Sequence, residues 1–299
     1  MSGVDVQKRW PKLSVIAVAA ILLLQSAAVC AGGVVVTIID GRKAKADITL
    51  PNPNGGDYTA EFEIEFERDG LENLTVECVG ITADVLDASE IDDVQQRLPH
   101  GTQPGGGGTQ LIDAAFPVRI TVEPPAGCGL AFRNGYDVEI DTPNLVYVAN
   151  SKYRFMKAPL GQMFQYVTAS VTSGSVRSRG SSGGFSEFVL IADTAPQYAP
   201  DCNHEYDYIE TRLQASALSP TARRTLEIDL ARSRAAYDAG DFAAAIALLA
   251  AFDGHCVEYA GEGLPNEWRS TRDLDNVEGD IVGRTDNLRF MMGRLNGSP

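Results

Sequence analysis

Gly180-Ser181-Ser182-Gly183-Gly184 reads G-x-S-x-G. That spacing can place a nucleophilic serine on a strand-to-helix turn, with an acid and then a histidine later in the chain. The chemistry would be acyl transfer by Ser182. The following residues, Phe185 to Ile191, are rich in aromatic and β-branched types and read instead as a strand covered on both faces. His204 and His255 each fall near a cysteine in a helical region, with no reason to converge on Ser182. The stretch is therefore expected to be a strand–turn–strand connection, with Gly180, Gly183 and Gly184 supplying positive φ.

Four other groups of residues could do chemistry. Glu61, Glu63, Glu65 and Glu67 alternate along one strand, which sets carboxylates roughly 7 Å apart on a single face. Such a ladder attracts cations or a basic partner, or simply keeps a sheet face wet. Asp273 and Asp275 fit the first positions of a calcium loop, but Val277 falls where Asp or Asn is needed, so the segment is expected to cap a helix. Cys78, Cys128, Cys202 and Cys256 lack metal-ligand spacing. An even cysteine count after leader removal predicts two disulfides, and Cys78–Cys128 with Cys202–Cys256 keeps each pair within one region. Trp268 either anchors the connection before the last helix or stands exposed as a ligand platform. His100, His204 and His255 are too dispersed for a three-histidine site, and the Gly105–Gly108 run lacks the Lys and Ser/Thr of a phosphate loop. No catalytic, metal or cofactor residue is predicted.

These groups need elements to position them. Tyr58, Ala60, Phe62, Ile64 and Phe66 alternate with the glutamates, the period of a half-buried strand. Leu74-Val76-Cys78, Val118-Ile120-Val122 and Tyr136-Val138-Ile140 repeat the pattern. Turn signals at Asn54-Gly55, Asp69-Gly70, Pro124-Pro125 and Asn134-Gly135 separate them. Residues 32–195 are expected to form an immunoglobulin-like antiparallel β-sandwich. After the "APQYAP" linker the period becomes helical. Cys202, Tyr206, Ile209 and Leu213 share a face, Ser219-Pro220 starts a second helix, and Gly240-Asp241 separates it from a third. Val277, Ile281, Leu288 and Met292 mark a fourth. Residues 196–299 are expected to form a helical bundle.

The N-terminus reads as a secretory leader over residues 1–31. Lys8, Arg9 and Lys12 precede an apolar run, Leu13 to Leu24, and small residues follow, with cleavage expected after Ala31 or Ala28. The run is shorter than the roughly 20 residues a membrane span needs, so no integral membrane segment is expected after cleavage. The whole chain carries a formal charge of −15, a field that disfavours nucleic acid.

Two long stretches carry a resemblance. "YRFMKAPLGQMFQYVTASV" with "SVRSRGSSGGFSEFVLIAD" resembles an uncharacterised family of proteobacterial secreted proteins, and Ala235–Phe252 with Leu264–Phe290 resembles that family's C-terminal half. The helical part is also similar to modules appended to exported bacterial proteins, with Gly240, Asp241 and Ala251-Phe252 at the matching positions. The resemblance implies export and implies no reaction. Together these readings predict a periplasmic or extracellular, non-catalytic binding or structural protein whose partner is an envelope protein or a glycan. Trp268, Glu61, Glu63 and Glu65 are the candidate contacts. The alternatives are an accessory or chaperone-like partner of another exported protein, and a carbohydrate-active hydrolase using dispersed carboxylates.

Overall fold

The computed structural model describes residues 30–31, 33–102 and 107–298. The expected leader, except Cys30 and Ala31, lies outside the described residues, as do Gly105 and Gly106 of the glycine run. In chain order the strands are β1 (Cys30–Ala31), β2 (Val34–Ile39), β3 (Lys43–Pro51), β4 (Asp57–Phe66), β5 (Ile81–Val85), β6 (Gln110–Ile112), β7 (Val118–Val122) and β8 (Ala131–Arg133). They continue with β9 (Tyr136–Val146), β10 (Tyr153–Ala158), β11 (Gln165–Tyr166), β12 (Ser170–Thr172), β13 (Ser175–Ser182), β14 (Glu187–Asp193) and β15 (Glu267–Arg269). The helices are α1 (Val76–Val79), α2 (Ala88–Gln96), α3 (Tyr198–Ala215), α4 (Pro220–Asp238), α5 (Phe242–Tyr259) and α6 (Val277–Leu295).

Two large antiparallel sheets and a two-stranded one, β15-β8, result. One has seven strands in the order β1-β2-β3-β4-β9-β13-β12; the other runs β11-β10-β14-β7-β5, with β6 paired to β14. Alternation on β4 sends Tyr58, Ala60, Phe62, Ile64 and Phe66 inward. There they meet residues of the second sheet in one apolar cluster, with the Phe62 and Phe188 rings 5.4 Å apart. Every residue of β14 is buried, as its unbroken apolar run predicts, because Val94 of α2 and Leu98 just after that helix cover its other face.

Two local expectations change. Leu74-Val76-Cys78 is not a strand. Thr75 accepts the Cys78 amide at 3.2 Å and Gly80 turns left-handed at φ 64°, so the segment closes into the single turn α1. The β half also contains α2, started by a capping box in which Asp87 and Glu90 bond each other's backbone.

The helices pack as their caps dictate. Ser219 accepts from Ala222 N at 3.2 Å, and Asp241 accepts from Ala244 N at 3.0 Å. α5 is long and apolar enough to cross a membrane by length and composition, and here it packs against α4 and α6. The helical region is not free-standing. β15 pairs with β8, setting Trp268 opposite Phe132, and α6 lies along β13.

Close approach by other segments, α6 among them, explains the glycines around Ser182. Gly180, Gly183 and Gly184 do not have positive φ, contrary to the expectation of a turn that needs it. They are small because other chain comes against them. A Cβ on Gly180 would stand 1.8 Å from the Val167 carbonyl oxygen, and one on Gly183 2.6 Å from the Asp280 amide nitrogen. The helix answers in kind, since a Cβ on Gly283 would meet the Ser181 carbonyl oxygen at 2.5 Å.

Cys78, Cys128, Cys202 and Cys256 are free thiols in this structure, so neither expected disulfide is present. Cys78 and Cys128 are neighbours; the Cys78 thiol donates to the Cys128 carbonyl at 3.1 Å, and the Cys128 thiol faces the Cys78 carbonyl at 3.6 Å. Cys202 and Cys256 are apart. Tyr237 ties one end of α4 to Ala199, beside Cys202, while His255, beside Cys256, meets Asp229 further back along α4. Eight residues of helix rise, about 12 Å, separate those attachments on α4, which sets the two cysteines at different levels of the helix packing.

Candidate functional site

The outward faces of the central strands carry charge in stripes. β3 presents Lys43 and Lys45, β13 presents Arg177 and Arg179, and the two strands between them are acidic. Antiparallel pairing sets Glu61 opposite Asp141, Glu63 opposite Glu139 and Glu65 opposite Asp137. The flanking cations answer part of this charge. Lys43 reaches Glu63 at 2.8 Å and Glu65 at 3.1 Å, Lys45 reaches Glu61 at 3.0 Å, and Arg177 reaches Asp141 at 2.6 Å. The Lys43 ammonium, hydrogen-bonded to Glu65, holds that carboxyl below its usual range. Asp137 makes no ion pair among the described residues.

α6 closes over one end of this face and turns it into an acidic cleft with two lobes. The outer lobe, about 360 Å³, lies over Lys43, Glu63, Glu65, Asp137, Glu139 and Arg179, with Asp286 of α6 on its far side. The inner lobe, about 240 Å³, runs under the start of α6. Glu65, Asp137 and Asp286 are shared with the outer lobe, and Glu67, Glu278, Phe66, Tyr136, Val257 and Val282 complete it with Arg42. Position on α6 follows from the glycine contact, since Gly279 and Gly283 must face β13 for the backbones to approach so closely.

The electrostatics are unusual at three carboxyls. Glu278 is 2% exposed, and its Oε2 has no hydrogen-bond partner. Burial, helped by the charge on Glu67, pushes its pKa up to about 7. Asp286 is also pushed up by burial, with the Asp137 charge adding and a hydrogen bond from Ser181 opposing. Asp137 stands at the mouth with its side chain open to water. Loss of part of its hydration in the cleft, then the charges on Glu65 and Glu67, raise it, and Arg179 opposes. Asp286 already meets Arg289 at 2.8 Å, whereas Glu278 and Asp137 have no ion pair among the described residues, so the uncompensated charge that a cation could answer lies with those two. No group of three or more acidic, histidine or cysteine side chains converges closely enough to hold a metal ion, among the described residues.

The predicted site residues are placed as follows. Glu63 and Glu65 line the cleft, whereas Glu61 sits on the exposed face beyond it, against Lys45. Trp268 is 8% exposed, stacked on Phe132 at 5.3 Å and edge-on to Phe185 at 4.8 Å, so its ring belongs to the core and forms no surface platform. Ser182 is 3% exposed and accepts a hydrogen bond from the Lys157 ammonium, itself buried. Burial lowers the Lys157 pKa to about 8, with Arg284 adding and Asp280 opposing. A serine beside a lysine of lowered pKa has the make-up of an activated nucleophile. Here α6 lies on the neighbouring Gly183 backbone and seals the pair from substrate.

With this geometry in view, the family can be assigned. A model described as a family of unknown function, DUF6689, matches residues 18–296. The chain belongs to that family. No curated protein is matched by the chain. The DUF6689 match takes in the seven-stranded sheet and α6 alike, so both walls of the cleft lie within it.

Sequence reasoning missed Glu278, Asp286, Asp137 and Lys157. Asp137 was legible as the polar neighbour of two inward residues, Tyr136 and Val138. Glu278 carried a weaker signal, an acid just inside a helix start, which ordinarily means capping.

Proposed function

We propose that the protein is an exported, non-catalytic binding module of the bacterial envelope that grips a basic polypeptide with the acidic cleft and the charged face around it. The observation that carries this reading is the β4–β9 register, with three like-charged pairs directly opposite one another. Such pairs cost stability. These side chains leave the core, so packing does not require them, and a local arrangement that works against the fold is expected where a ligand is bound. The leader-like N-terminus and the resemblance to secreted proteins support export. Two antiparallel sheets sharing one apolar interior support the broader immunoglobulin-like reading of the β half.

The test is fluorescence anisotropy of a labelled oligolysine peptide and a matched acidic peptide against the full chain, at about 0.05 and 0.5 M salt. Binding of the basic peptide alone, weakened by salt and lost in a Glu63→Gln/Glu139→Gln variant, is the expected result. Equal binding of both peptides, or of neither, sinks the reading.

A second reading, a carbohydrate-active hydrolase, is favoured by Asp137 and Asp286, both raised in pKa at one cleft. It requires turnover of a glycan that Asp286→Asn abolishes. The accessory-protein reading depends on strand addition at a sheet edge. The edge strands β1, β11 and β12 have only two or three residues each and offer little template, which leaves β5, five residues at the other edge of the second sheet, as the one to test.

A further inference from the structure

We propose that the inner lobe is a specific pocket for an alkyl ammonium or guanidinium head, with Glu278 as its buried counter-ion. This rests on the cleft being the binding surface and adds the chemistry that one part of it selects.

Glu278 is the observation that points to a ligand. A carboxylate that is almost wholly buried ordinarily has a paired cation or several donors. Glu278 has no salt bridge among the described residues, and its Oε2 has no hydrogen-bond donor. The nearest basic side chain lining the same space, Arg42, is already paired with Glu65. A cation entering the lobe would supply what the fold leaves out. The rest of the lining says what kind. Asp137 and Asp286 stand around the opening rather than converging on one point, which suits a head group several atoms wide and not a bare ion. Val257 of α5 is 59% exposed at the lobe and Val282 of α6 lies beside it, an apolar wall for the methylene stem that carries the charge. The space, about 240 Å³, is a cleft open to solvent.

The same chemistry comes from two sources, a free amine or guanidine and a basic side chain of a polypeptide. Calorimetry on the full chain separates them, using agmatine, n-butylamine, an arginine-containing peptide and calcium chloride as probes. Agmatine or n-butylamine is expected to bind the wild type and to lose at least tenfold in affinity in Glu278→Gln. Glu77→Gln, on α1 and lining neither lobe, should change it little. Val257→Arg, which hangs a guanidinium at the opening, should compete and weaken binding in the same way. Thermal melting of each variant checks that it remains folded. If only the peptide binds, and Glu278→Gln loses it while Glu77→Gln does not, the pocket stands with a polypeptide as its source. If basic peptide binds equally to wild type and Glu278→Gln, the pocket is refuted and the broader cleft reading survives. Calcium binding in place of the organic cations overturns the pocket. Failure of every probe overturns both.

Discussion

Replacing Glu278 with glutamine isolates one buried carboxyl in a protein with many acids. Its ordinary pKa of 4.5 becomes about 7 in the folded chain, chiefly because burial strips its water. Each pH unit of separation is worth about 1.4 kcal/mol, so the shift corresponds to about 3 kcal/mol of lost stability once the group is charged in both states. The sign follows from proton binding. Below pH 4.5 the carboxyl is protonated whether folded or not, and it costs nothing. Between about pH 4.5 and 7 the unfolded chain gives up the proton first, so the folded state is progressively disfavoured. Above that window the loss is complete. Urea denaturation of wild type and Glu278→Gln at several pH values reads this directly. The buried amide of the variant has its own cost, but that cost does not change with pH. The stability difference should therefore move in favour of the variant by about 3 kcal/mol between pH 4.5 and 8. A difference that stays flat with pH would refute the reasoning, because it would mean that Glu278 is hydrated or paired in solution.

Three further outcomes are expected. Gly283→Val drives a side chain into the Ser181 carbonyl and should cost about 1–3 kcal/mol, together with loss of cleft binding as α6 lifts; near-ultraviolet circular dichroism with denaturation measures both. Arg284→Met leaves Glu205, its buried partner at 3.0 Å, without a counter-charge. The loss should be about 3–5 kcal/mol at neutral pH and smaller in acid, where Glu205 takes up a proton. Mild oxidation should join Cys78 to Cys128 and leave Cys202 and Cys256 as thiols, giving one disulfide by mass spectrometry and a gain of about 3–4 kcal/mol. A Cys202–Cys256 bond would contradict the helix packing.

How much of this could be read in advance depended on distance along the chain. The Tyr58–Glu67 alternation located β4 almost to the residue, because a two-residue period is a local property. Ser219-Pro220 and Gly240-Asp241 located the helix ends for the same reason, since caps act within one turn. Leu74-Val76-Cys78 also alternates, yet Thr75 and Gly80 fold it into a helical turn, so a three-point alternation was too short to outweigh two caps. The glycines at 180, 183 and 184 showed only that a side chain is excluded there. The cause at Gly183 lies in α6, far along the sequence, and at Gly180 in the Val167 carbonyl, which pattern alone does not bring there. The cleft shares that problem. Its sheet floor was visible as a glutamate ladder, but Glu278 and Asp286 reach it only through the approach of Gly279 and Gly283 to β13.

The pairing of β15 with β8 has a consequence for the order in which the molecule can be completed. The β strands are synthesised first, but the indole that stacks on Phe132 and Phe185 arrives only with residue 268. The helix that walls the cleft follows it. Until both emerge, an aromatic surface of the early half stays wet and the acidic groove has only one side. Both walls of the cleft therefore exist only once the chain has been finished. A prematurely terminated copy would be a sticky body for quality control to remove, with half a cleft.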